Sequence, residues 1–145
     1  VNDNQLLKQI FEITTWAAYL PTYSPSEEEM AKAYIVILAD KEIEALAGSH
    51  TPYDVGVATM SISMTAFDEG LGSCILASVN KKKLREILNI PENLKVELVV
   101  SLGYPAETPV VDEVKDGKIN YWLDDDGVLH VPKRDLEDVM HQNSY

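Results

Sequence analysis

Residues 53–78 read YDVGVATMSISMTAFDEGLGSCILAS, a mostly apolar segment that breaks at Glu69-Gly70 and resumes as a short strand-like run. Between residues 55 and 67 the side chains of Val55, Val57, Ala58, Met60, Ile62, Met64, Ala66 and Phe67 cover more than one helical face, which predicts a central helix buried nearly all round. Asp54 is placed to cap its start, and Gly70 to adopt the left-handed conformation just past its end. The segment therefore predicts a helix, a tight turn and a strand, and the rest of the chain is arranged against it.

Upstream, the chain opens with VNDNQLLKQIFEITTWAAYL. Asn2 and Gln5 have capping-box spacing, and Leu6, Leu7, Ile10, Phe11 and Thr14 follow a helical stripe, so a helix is expected over about residues 3–18. A loop over residues 21–26 follows. Ser24 or Ser26 then caps a short helical turn carrying Glu27, Glu28 and Glu29, acidic residues suited to the positive end of the helix dipole. That triplet reads as a helix start rather than as a metal site. AYIVILAD, residues 33–40, is a continuous apolar run rich in β-branched residues and too short for a typical helix. It predicts a buried strand in the middle of a sheet. KEIEALAG, residues 41–48, matches neither period, and residues 48–52 read as a loop into the central helix.

Downstream, residues 72–77 predict a second strand, and Asn80 caps a helix running to about residue 89 with Leu84, Ile87 and Leu88 facing inward. Lys81, Lys82 and Lys83 in its first turn have the wrong sign for the dipole and read as a solvated face rather than an anion site. Pro91 stops this helix. KVELVVSLGYP then gives a third strand, in which Val96, Leu98, Val100 and Leu102 alternate with Lys95, Glu97 and Ser101. Residues 107–117 are polar and loop-like. KINYWL and VLHVP flank Asp124-Asp125-Asp126-Gly127, whose Asp-Gly predicts a hairpin turn. Three aspartates in a turn resemble a calcium loop, but the spacing lacks the alternation and distal glutamate of an EF-hand. A last helix is expected over about residues 135–140.

The 145 residues, 46% hydrophobic and 25% charged, suit one globular domain spanning residues 1–145 with a real core. A formal charge of -12, from 24 acidic and 12 basic residues, argues against nucleic acid and anionic lipid as partners. Cys74 is the only cysteine, so no intrachain disulfide framework or cysteine zinc cluster exists, and a cytoplasmic setting is expected. No membrane span or signal peptide is expected.

Few residues carry chemistry on their own. There is no G-x-S-x-G, G-x-G-x-x-G or G-x-x-x-x-G-K, which leaves a serine hydrolase, a Rossmann dinucleotide site and a P-loop unsupported. His50, His130 and His141 lack diagnostic spacing and read as surface residues rather than metal ligands, so no metal site is expected. Cys74, in an apolar run, reads as an inert buried side chain. What remains is the glycine-flanked strand end Cys74-Ile75-Leu76-Ala77-Ser78, whose backbone can lie flat against a planar ligand, and the pair Lys133-Arg134, which suits a phosphate.

The ordered motifs GLGSC, a capped helix ending in I-P, a strand ending in L-G-Y-P, and the closing VPKRDLEDVMH resemble the flavin-dependent nitroreductase family, most closely over residues 53–107. The resemblance implies an α+β fold with a mixed, mainly antiparallel sheet flanked by helices, forming a homodimer with FMN at the subunit interface. It also implies a reaction: NAD(P)H reduces the flavin, which reduces a nitroaromatic, quinone or related small-molecule acceptor. By position, Ile75, Leu76, Ala77 and Ser78 correspond to the segment along the flavin ring, and Lys133 and Arg134 to the pair at the FMN phosphate. No acid-base side chain is implied, the chemistry being flavin-borne. Family members begin with an R-x-S-x-R motif that supplies phosphate contacts. This chain starts after it, so it reads as a fragment, a naturally shortened relative or an incomplete gene product, without charge-assisted bonds worth about 1.5–3 kcal/mol each. The alternative reading is a non-catalytic relative or fragment that dimerises and binds another ligand or a protein partner.

Overall fold

Leu94–Gly103, the longest strand of the chain, carries apolar side chains on both of its faces, as a strand covered on both sides must. In the computed structural model, which describes residues 1–20, 22–48 and 50–144, this strand (β3) is the centre of a three-stranded sheet. Ala33–Asp40 (β1) and Gly72–Leu76 (β2) flank it, both antiparallel. The expected strand over residues 33–40 is therefore present but lies at an edge of this sheet, because the longer β3 pairs with both neighbours. Ile35 and Leu38 of β1 remain more than a third exposed in consequence. The expected simple alternation along β3 also gives way: Val99, Val100 and Ser101 are all buried.

The chain divides into two compact units. The first comprises Val1–Trp16 and Ser24–Pro105 and contains this sheet. Asn4–Glu12 (α1) is capped by Asp3, whose carboxylate accepts from the Gln5 and Leu6 amides at 3.0 Å. The cap is Asp3 and not the expected Asn2. This helix stops well before residue 18 because three β-branched residues follow. Thr14 turns its hydroxyl back to the Ile10 carbonyl at 2.8 Å and bridges to Val79, while the Thr15 amide donates to the Ser78 carbonyl at 3.1 Å. The short turn Glu27–Glu29 has the Ser26 capping box, and Glu27 pairs with Lys8 at 2.7 Å.

Lys81–Leu88 (α4) starts at Asn80, whose side chain accepts from the Lys83 amide at 3.1 Å, and ends at Asn89 in the left-handed conformation. Leu84 of α4 packs with Leu7 and Ile10 of α1 against Tyr34, Leu76, Val96 and Val99, forming the core on one face of the sheet. The opposite face, which includes Val100, receives the central helix, Thr51–Asp68 (α3).

Two expectations for the chain before and within α3 change. Residues 41–47 form a helix, Lys41–Ala47 (α2), capped by the Asp40 side chain on the Glu42 amide at 2.8 Å and followed by Gly48 at positive φ. Its Ile43 and Leu46 are exposed, so it carries no buried stripe for a period to report. The central helix begins at Thr51, three residues before the expected cap Asp54, since Pro52 suits a first helical turn. It is also not buried all round. Thr59 and Ala66 are buried, whereas Tyr53, Val57, Met60, Met64 and Phe67 are more than half exposed. The sheet covers one side of an 18-residue helix that is apolar on both. Gly70, φ +73°, ends it as expected: the Leu71 amide reaches the Ala66 carbonyl at 2.8 Å and the Gly70 amide the Phe67 carbonyl at 3.0 Å.

The second unit comprises Ala17–Tyr23 and Ala106–Tyr145. The predicted hairpin is there, with Trp122–Leu123 (β5) antiparallel to Leu129–Lys133 (β6). Residues 107–117, expected as a loop, contain a further strand, Val110–Glu113 (β4), parallel to β6. A short last helix, Leu136–Val139 (α5), lies within the expected range.

Candidate functional site

Two sets of residues were expected to bind a ligand, and each belongs to a different unit. In the first unit, β2 ends at Leu76 and the chain turns through Ala77 and Ser78 into the cap of α4. Successive strand residues face opposite sides, and the four expected residues divide accordingly. Ile75 points away from the α1–α4 core and is half exposed, while Leu76, 5% exposed, is part of that core. The Leu76 side chain is thus committed to packing, leaving only its backbone for a ligand. Ser78 is exposed, but its hydroxyl donates to the Thr15 carbonyl at 2.6 Å. The hydroxyl is engaged in holding the 14–15 segment against the strand end.

A cavity of about 420 Å³ opens on Ala77 and Ser78, with Thr14, Thr15, Asn80 and Lys83 among its lining. It lies where the end of α1 and the start of α4 meet, so local structure creates it twice over. The β-branched break at residues 13–15 ends one helix, and the Asn80 cap begins the other. Lys83 supplies a positive charge and Glu12 a negative one to a wall that also carries hydroxyls, an amide and the apolar Ile13 and Val79.

In the second unit, Lys133 ends β6 and Arg134 follows it; both are exposed and, among the described residues, neither side chain makes a hydrogen bond or ion pair within the chain. Two adjacent cations with uncommitted donors are suited to an anion of high charge density. The strand that presents them is fixed from behind. His130, three residues earlier, lies with Nδ1 2.6 Å from Asp112 Oδ2 and Nε2 3.2 Å from Asp124 Oδ2, and its ring stacks on Trp122 with centroids 5.0 Å apart at 11°. The Asp112 hydrogen bond, then that to Asp124, raises the imidazole pKa. The Asp124 carboxyl is lowered, first by the Val128 amide that its other oxygen accepts. His130 is therefore a paired residue, not the isolated surface histidine expected. Its pairing with Trp122 was open to register counting outward from the Asp-Gly turn. Asp112 was not, because β4 was unforeseen.

Cys74 also departs from expectation, being exposed rather than buried, yet partial desolvation raises its thiol pKa and so disfavours the nucleophilic thiolate. Among the described residues, no cluster of histidine, cysteine and carboxylate side chains has the form of a metal site, and no helix is long and apolar enough to cross a membrane.

The pattern of the nitroreductase family matches residues 3–104, nearly the whole extent of the first unit. The chain belongs to this family. A relative from Archaeoglobus fulgidus, provisionally named an NADH dehydrogenase/NAD(P)H nitroreductase, is 37% identical over 125 residues, which cover 80% of this chain and 64% of the relative. The chain thus spans less than two thirds of that relative's length. Among solved structures, the FMN-dependent nitroreductase of Clostridium difficile R20291 aligns with 100% of this chain and 73% of its own, with a TM-score of 0.62 at 23% identity. A nitroreductase family protein of Clostridium novyi NT aligns over 72% of this chain and 58% of its own, with a TM-score of 0.55 at 25% identity. The fold is nitroreductase-like α+β, with mixed helices and mainly antiparallel strands, and the first alignment extends it over both units.

Proposed function

We propose that this nitroreductase-family chain is an FMN-dependent oxidoreductase that moves hydride from NAD(P)H to a nitroaromatic, quinone or related acceptor, with both units acting as one domain. The observation that carries the reading is the open cavity against Ala77 and Ser78, beside the strand end that the family resemblance assigns to the flavin ring. The residues present fit such a ligand. Ile75 offers apolar surface, Ala77 and Ser78 border open space, and Lys133 and Arg134 have no competing partner among the described residues. FMN, when bound, supplies the two-electron chemistry. The chain's own part is to orient the ring along residues 75–78, with the Ser78–Thr15 hydrogen bond holding that segment still, and to hold the phosphate with Lys133 and Arg134. No side chain is assigned a proton-transfer role. The single exposed thiol accords with a cytoplasmic setting.

The homodimer belongs to the same proposal. Tyr53, Val57, Met60, Met64 and Phe67 recur at alternating intervals of four and three, so they form one outward apolar stripe along α3, opposite the stripe of Thr59 and Ala66 that the sheet covers. A second copy presenting the same stripe covers it. Sedimentation of the protein is expected to give a dimer, and Met60→Asp a monomer; a wild-type chain that stays monomeric at high concentration overturns the dimer.

For the cofactor, the purified chain is titrated with FMN and then tested for NAD(P)H oxidation with a nitroaromatic or quinone. Replacing Lys133 and Arg134 together by alanine is expected to weaken FMN binding by about tenfold to a hundredfold, the scale of one to two charge-assisted hydrogen bonds. A chain that takes up no FMN removes the oxidoreductase reading. It leaves the second one, a non-catalytic relative that binds another ligand or a protein.

A further inference from the structure

The sheet that ends at Lys133 is built from strands of four, two and five residues, too short to be held by backbone pairing alone. Its central strand β6 carries Pro132, which has no N–H to give to a ladder, directly opposite Asp112 of β4. A side-chain link stands beside that gap. His130 faces Val110 on β4 and Trp122 on β5, and its two ring nitrogens meet Asp112 from the first strand and Asp124 from the turn after the second. A neutral imidazole has one N–H and can donate to only one carboxylate, whereas the imidazolium donates to both. The complete clasp is therefore a property of the charged ring. From Asp112 the pairing runs one residue further, Glu113 opposite Lys133, and the Val114 amide then donates to the Lys133 carbonyl at 3.2 Å.

We propose that His130 is a positioning residue for Lys133 and Arg134: as an imidazolium it clamps β4 and β5 onto β6, fixing the strand end that presents the two cations to a phosphate, and its deprotonation loosens that end. The proposal rests on the reading of Lys133 and Arg134 as the phosphate-holding pair. Other charges adjoin the clasp. Lys115, Lys118 and Glu113 share with Asp112 and Trp122 the lining of a cavity of about 530 Å³. Of the charged groups around the clasp, Asp112 and Asp124 are the ones in hydrogen-bond contact with the ring.

The test uses the full chain and two independent readouts. Imidazole and backbone amide resonances are followed by NMR from pH 5 to 10 without flavin. The Lys133 and Arg134 amides are expected to shift with the midpoint of His130, and Asp112→Asn to move both midpoints together to lower pH. Amides that stay flat through the His130 titration, or a midpoint unmoved by Asp112→Asn, overturn the proposal even if His130→Gln fails to fold. The second readout is the dissociation constant of FMN and of riboflavin, which lacks the phosphate, at pH values on either side of that midpoint. FMN is expected to bind several-fold more weakly above it in the wild type but not in His130→Gln, with riboflavin unchanged in both. Coupled amides with no FMN step and no effect of Lys133→Ala or Arg134→Ala support His130 as the clamp of the strand end while removing the phosphate reading.

Discussion

The two units reach order by different means. The first has strands of up to ten residues and a sheet covered on both faces, with Ile10, Tyr34, Leu84, Val99 and Val100 fully buried. Among the described residues of the second, Pro132 alone is buried. That unit relies on discrete polar and aromatic pairs: the Asp112–His130–Asp124 clasp, the Trp122–His130 stack, and Tyr19 on Tyr121 at 5.0 Å. Apolar burial is indifferent to pH and hard to interrupt at one point, whereas a few directed contacts respond to a single proton. The contrast separates a scaffold from a segment whose geometry can be adjusted.

Substitution at Leu84 is expected to have the largest effect. Leu84→Ala empties a site between α1, α4 and the sheet and should cost about 2–5 kcal/mol in urea or guanidinium unfolding. A loss below about 1 kcal/mol would mean that the first unit is not held by its core. Gly70→Ala comes next. No atom lies within 4 Å of the added Cβ, so the cost is that of the left-handed backbone alone, about 1–2 kcal/mol in the same measurement. A neutral Gly70→Ala would show that the turn between α3 and β2 relaxes freely.

The smallest effect, and the one that distinguishes the units, is on pH dependence. His130 has a raised pKa in the folded chain, so its contribution is complete below the ordinary imidazole range and lost as pH rises through the raised value. Asp124 has a lowered one, so its contribution is complete above the ordinary carboxylate range and lost as pH falls through the lowered value. The second unit is therefore expected to be firmest between these limits. Once the base-catalysed intrinsic rate is divided out, amide protection in β4–β6 should fall on the alkaline side, and His130→Asn should abolish that fall while protection in β1–β3 stays unaffected. Equal alkaline responses in both sheets would erase the distinction.

Much of the first unit was legible because its signals are local. Asn80, Pro91 and the stripe through Leu84 define α4, and Glu69-Gly70 marks the end of α3 whatever surrounds it. Features set by distant pairing were not. The apolar count of α3 reported that both sides are greasy but not that a single sheet covers one of them. The run at residues 33–40 reported a strand, while its place at the edge depends on β3, about sixty residues later in the chain. Helix α2 escaped because its order comes from the Asp40 cap and Gly48 rather than from a buried face. Strand β4, and with it Asp112 beside His130, exists through parallel pairing across an intervening hairpin. The expected ligand residues were legible as a strand end and a cationic pair, but not the division of labour within them, in which Leu76 serves the core and the Ser78 hydroxyl serves the backbone.

Cys74 gives β2 a practical property. It is the one thiol of the sequence, it is exposed, and it directly precedes Ile75 at the strand end. A maleimide or nitroxide reagent will therefore attach at a single defined point, more readily in mildly alkaline buffer because the thiol pKa is raised. The chain thus comes with a built-in address for a spectroscopic reporter, on the strand that leads into the proposed flavin-bordering segment.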